Sequence, residues 1–221
     1  MNILIDNFSV VSQSIIWLLF LVVLAVAFWR APWYHLKEFG SLNILLGMIV
    51  AVIVIWMLKA GFTPGLTVHL LGTTLLTLMF GWAFAILSIG IVLVAHTIND
   101  GSGWMALPLE ILLLGAVPAA VSYGLFRLVD SRLPNNFFIY IFIVAFFGAA
   151  LAATSAVLAT SLAQVVSGAY PADKVWHDYT RYALLIMFPE AFITGMLMTL
   201  FVAYRPEWVS TFDDSRYLDG K

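Results

Sequence analysis

Between Lys59 and Asp100 the chain runs for about forty residues without an Asp, Glu, Lys or Arg, and histidines, His69 and His96, stand towards its two ends. One crossing of a bilayer needs roughly 20 apolar residues, so a charge-free run of this length is membrane. Polar groups are costly in lipid, and two imidazoles bracketing such a run are expected to face a bundle interior or a ligand path. They read as the rim of a metal site.

Composition extends that reading to the whole chain. It is 63% hydrophobic and 10% charged, with a mean hydropathy of +1.02, more than a soluble domain of 221 residues could hide in one core. Apolar segments recur from end to end with short connectors, so residues 1–221 are expected to form one transmembrane domain. The N-terminus lacks the basic start and small-residue cleavage site of a signal peptide, and the first apolar run is expected to remain. With no Cys, disulfides and thiolate sites are excluded, leaving nitrogen, oxygen or Met sulfur for any metal. The net charge of −2 points to no partner, and no nucleic acid is expected.

Charges, prolines and glycines divide the chain into an all-α, polytopic membrane fold with seven transmembrane helices. These are expected at about 8–29, 41–58, 67–80, 82–98, 105–129, 136–166 and 182–204, with a hydrophilic cytoplasmic tail at 205–221. Pro64-Gly65 precedes the third helix, Gly81-Trp82 turns it into the fourth, and Ser167 to Arg181 reads as a polar outer loop. Short basic loops stay in the cytoplasm. With the N-terminus outside and the C-terminus cytoplasmic, Arg30, Lys37, Arg127, Arg132, Arg205, Arg216 and Lys221 lie inside, leaving Lys59, Lys174 and Arg181 outside. That arrangement gathers Met1, Asn2, His69, His96, Asp100 and Glu110 on the outer face. The hairpin from Thr67 to Ile98 offers roughly 48 Å of helix where two crossings need about 60 Å, which sinks its histidines below the water line. The sixth helix is long, and its run Gly148-Ala149-Ala150-Leu151-Ala152-Ala153 suits close helix contact.

Each candidate has a structural alternative. Neutral imidazole is the commonest protein ligand of Ni, Co, Cu and Zn, and His69 takes that role or a capping hydrogen bond. His96 is a second ligand or merely flanks a loop. Glu110, just after Pro108, complements the helix dipole or serves the site. Glu190 is an intramembrane acid, hence a functional candidate, or a hydrogen-bonded lock on its helix with Thr194 and the carbonyl freed by Pro189 as partners. His177 and Asp178 read as solvated, His35 as part of a basic loop, and the scattered Met residues as packing. Trp29, Trp33, Tyr34, Trp104, Tyr204 and Trp208 fit an aromatic belt. The chain holds no phosphate loop, no nucleophile with a base and no haem or flavin motif, so it is not expected to be an enzyme.

The segment PGLTVHLLGTTLLTLMFGW, Pro64 to Trp82, resembles the histidine hairpin of the cobalt/nickel energy-coupling factor permeases of the CbiM/NikM type. PEAFITGMLMT in the last helix is similar to that family's glutamate-then-isoleucine-threonine motif, and the tail YRPEWVSTFDDSRYL resembles that of a proteobacterial branch. The resemblance implies a substrate-capture subunit in the bacterial inner membrane, driven by a transmembrane coupling subunit and cytoplasmic ATPase subunits. Its cargo is a divalent transition metal, Co or Ni, with Cu and Zn as further options, and no cofactor is held permanently. In the family the terminal amine, a second-position histidine and the hairpin histidine enclose the ion. Met1 and His69 match. Asn2 does not, which makes His96 our candidate for the missing imidazole. A different class of role on the same scaffold is a non-transporting accessory or assembly subunit of a membrane complex. A channel-like carrier is a third reading, for which no charged ring or repeat argues.

Overall fold

The computed structural model describes residues 7–37, 41–57, 69–100, 103–213 and 217, which contain helices and no strand. In chain order the helices are α1 (Val10–Arg30), α2 (Ser41–Met57), α3 (Thr73–Phe80), α4 (Trp82–Asp100), α5 (Trp104–Arg132), α6 (Phe137–Val166), α7 (Ala172–Asp178) and α8 (Ala183–Tyr204). Five stretches are long and apolar enough to cross a membrane: α1, α4 as Trp82–Asn99, α5, α6, and α7 with α8 as Ala172–Tyr204. α2, at 17 residues, is a shorter apolar helix, and α3 has only eight.

Local signals explain most boundaries. Ser9 caps α1 by accepting the Ser12 N–H, and Asn136 caps α6 by accepting the Phe138 N–H. Gly81 ends α3 at a φ of 86°, a conformation open to glycine, and its N–H still closes on the Thr77 carbonyl. One residue therefore separates α3 from α4.

The stretches that the sequence placed differently are the start of α3, residues 167–181 and the end of α4. α3 was expected from Thr67, but residues 69–72 are not helical and the helix begins at Thr73. The cause is Gly72, whose φ of 69° breaks the helical path, and a Cβ there would meet Val52 Cγ2 at 3.0 Å. The stretch 167–181 is not all loop, because Ala172–Asp178 form α7 after Pro171, whose extended conformation starts the helix. At the end of α4, Asn99 and Asp100 continue the helix where a loop was expected.

Every residue of α3 is buried. α4 and α5 pack along it, α6 and α8 close the other side, and α1 and α2 lie against α4. α1 fully buries only Phe20 and Ala27, packs Ile16, Val23 and Leu24 against the core and leaves most of its other apolar side chains exposed, as a lipid-facing helix does. Gly148, Ala149, Ala150, Ala152 and Ala153 of the small-residue run are all buried in α6, which packs on α5 and α8. Two segments widen into π-helix, Ile111–Ala116 in α5 and Tyr140–Phe147 in α6. Within the first, the Leu114 carbonyl accepts the Thr73 hydroxyl at 2.9 Å, tying α5 to the start of α3. The next residue of α3, Thr74, shares a hydroxyl bond of 2.8 Å with Ser122 further along α5.

Candidate metal centre

His69 sits on the non-helical lead into α3 and is 8% exposed. Its Nδ1 lies 3.2 Å from the Leu70 carbonyl. The imidazole packs on Trp56, in the last turn of α2, with ring centroids 4.0 Å apart and planes at 39°. His96, near the end of α4 and half-buried, meets the same Trp56 edge to face at 6.2 Å. Two histidines separated by most of a helical hairpin thus converge on one indole. α2 and α4 pack together, which sets Trp56 beside His96, and the reversal at Gly81 returns α4 to the level of the lead.

A cavity of about 340 Å³ opens beside His96 and Trp56, lined by Ile53, Trp56, Met57, Val92, Ala95, His96 and Asn99 and not by His69. Its lining is mostly apolar, with the His96 imidazole and the Asn99 amide as polar groups beside the Trp56 indole. Nitrogen and oxygen donors of this kind suit borderline divalent ions such as Ni, Co, Cu and Zn. Among the described residues no group of three or more His, Cys, Asp or Glu is placed to hold a metal ion. Met1 and Asn2, named from the sequence as further ligands, lie outside the described residues, as do Pro64 and Gly65.

Glu190 is placed differently from its sequence-derived partners. It lies about two turns into α8, 3% exposed, and its two carboxylate oxygens accept the N–H groups of Leu71 at 2.7 Å and Gly72 at 2.8 Å. Thr194 and the carbonyl freed by Pro189 were the partners expected. The acid turns instead to the lead into α3, whose Leu71 and Gly72 N–H groups lie outside any helix and need an acceptor.

Glu110 is buried in the first turns of α5, immediately before the π segment. His177 is exposed and holds to Asp173 in its own helix, and His35 is exposed against Tyr34. Trp56 is the participant that sequence reasoning missed. A Trp near a helix end ordinarily reads as an interfacial anchor, whereas this one is 1% exposed and donates its indole N–H to the Leu71 carbonyl at 3.2 Å.

The profile of the cobalt uptake substrate-specific transmembrane region family, CbiM, matches residues 7–208. The chain belongs to this family. No curated protein matches the chain significantly. A solved structure described as a truncated transition metal transporter is 20% identical over 92% of this chain and 99% of its own, with a TM-score of 0.77. A second, described as a transition metal transporter, is 20% identical over 92% of this chain and 93% of its own, at 0.76. At that identity the likeness establishes the fold shared with them. In this CbiM chain the His69 lead, Trp56, His96 and Glu190 all lie inside the matched range, and Ser210, Thr211 and Phe212 lie beyond it.

Proposed function

We propose that this chain is the substrate-capture permease subunit of an energy-coupling factor ABC transporter for divalent transition metals, cobalt or nickel before copper or zinc. The observation that carries the reading is the convergence of His69 and His96 on Trp56 in a CbiM-family chain. His69 is the leading ligand. His96 supplies a second imidazole, and Met1 with its terminal amine and Asn2 through its amide complete the set. Glu190 and Glu110 act in the bundle around it.

The chain is one transmembrane domain over 1–221, crossing a bacterial cytoplasmic membrane seven times with its N-terminus outside and residues 205–221 inside. It holds no ATP motif, so release follows tilting of the bundle by a coupling subunit and ATPase subunits, and the chain is not itself an enzyme. The metal is cargo, not a resident cofactor.

Calorimetric titration of the purified chain with Ni, Co, Cu and Zn tests this directly. Saturable binding lost in His69→Ala supports the site, and wild-type affinity in that variant removes it. The second reading, an accessory or assembly subunit on the same scaffold, is favoured by Asn2 in place of an imidazole. Co-purification separates the two: coupling and ATPase subunits support capture, and another membrane complex with no metal stoichiometry supports the scaffold role.

A further inference from the structure

His69 is carried on residues 69–72, outside any helix. Backbone of that kind keeps its conformational freedom unless its polar groups are bonded from elsewhere. Here the Leu71–Gly72 peptide is gripped on both edges. Its carbonyl accepts the indole N–H of Trp56 from α2 at 3.2 Å, and its N–H donates to Glu190 Oε1 from α8 at 2.8 Å. The preceding peptide donates the Leu71 N–H to Glu190 Oε2 at 2.7 Å. Both bonds to Leu71, from Trp56 and from Glu190, are buried, so water does not compete for them. The same indole lies against the His69 ring, so the residue that fixes the peptide also restricts rotation of the imidazole.

We infer that Trp56 and Glu190 form a positioning pair that presets His69 for the cargo ion. This rests on the assignment of His69 as a ligand. The groups around a ligating histidine fix its orientation and change metal affinity without touching the metal, commonly by 10–100-fold. The pair also joins α2 to α8 through one peptide. By thermodynamic reciprocity, an ion that binds the preset His69 stabilises the clamp by as much as the clamp favours the ion. Cargo occupancy is thereby felt in two helices far apart in the chain, α2 and α8.

The test uses the purified full chain with Co(II) and Ni(II), reading affinity by calorimetry, coordination geometry by the visible d–d spectrum, and clamp stability by the metal-induced rise in Tm. Glu190→Gln keeps one acceptor oxygen but turns an NH₂ towards a backbone N–H. Trp56→Phe keeps a ring on His69 and removes only the indole donor. Each is expected to weaken metal affinity about tenfold, to shift the d–d bands and to shrink the rise in Tm. Trp56→Phe decides the matter if Glu190→Gln does not fold. Wild-type affinity and spectrum in the folded variants, with binding lost in His69→Ala, overturn the positioning pair alone. Undiminished binding in His69→Ala instead overturns the ligand assignment on which it rests.

Discussion

The two ends of α3 are held by opposite chemistry. At the first end buried N–H groups need acceptors, and one side chain, Glu190, supplies both of them from α8. At the other end carbonyls need donors, and the segment after α8 provides several. The Ser210 N–H reaches the Met79 carbonyl at 2.9 Å, and the Thr211 N–H and hydroxyl reach the Leu78 carbonyl at 3.3 and 2.7 Å. The Tyr140 hydroxyl bonds Thr211 at 2.6 Å, and the Tyr140, Phe212 and Tyr217 rings cluster beneath. A helix of eight residues, about 12 Å long, covers less than half of a bilayer core, and because every residue of it is buried both ends depend on neighbours. The first end takes both acceptors for its N–H groups from one carboxylate, with the Trp56 indole and the Leu114 carbonyl holding the groups beside them. The second spreads its support over neutral bonds and aromatic packing.

Concentrated support fails all at once, and the sharpest way to break the comparison is Glu190→Ala. That change leaves the buried Leu71 N–H and the half-buried Gly72 N–H without their acceptor and is expected to cost about 3 kcal/mol. A large fall in the Tm of the detergent-solubilised protein is the expected reading; an unchanged Tm means that the first end has support beyond this carboxylate. Next in size, His69→Ala is expected to lower metal affinity by more than about a hundredfold, beyond the effect typical of outer-shell partners, with the Tm of the metal-free protein little changed. Parallel loss of both quantities would merge the site with its scaffold.

Gly72→Ala probes the conformation of the same end. A φ of 69° and a Val52 methyl 3.0 Å from the new Cβ give an expected loss of about 1–3 kcal/mol, measured against Gly81→Ala, where nothing lies within 4 Å and only the backbone conformation opposes the change. Thr211→Val at the second end removes the hydroxyl and keeps the backbone bond to Leu78, so the expected loss is the smallest, about 1 kcal/mol. A loss from Thr211→Val as large as that from Glu190→Ala would erase the distinction between the two ends.

Much of this was legible in the chain. The boundaries of α1, α2, α5, α6 and α8 fall within about three residues of those read from hydropathy, capping residues and prolines, because a spanning helix satisfies its own backbone and its limits are set locally. The turn at Gly81 was legible for the same reason. His69 and His96 stood out because imidazoles are conspicuous in a charge-free run. The start of α3 was misplaced because TVHLLG reads as helical, and only Val52 packed against Gly72 and Glu190 bonded to the lead show why it is not. The tail at 205–221 read as hydrophilic, yet Val209, Phe212 and Tyr217 are buried against the bundle, since their partners are Tyr140 and the end of α3.

The sequence by itself determined that this is a membrane bundle, where its long helices run and which two histidines stand out in its charge-free run, because lipid selects on composition and helical backbones close their own hydrogen bonds. Tertiary structure alone decided that Trp56 stands between those histidines, that Glu190 bonds to a lead 118 and 119 residues away in the chain, and that the segment after α8 supports the far end of α3. The polar groups at the ends of a short buried helix must be satisfied by whatever lies beside them in space, and a linear pattern carries no record of that neighbour.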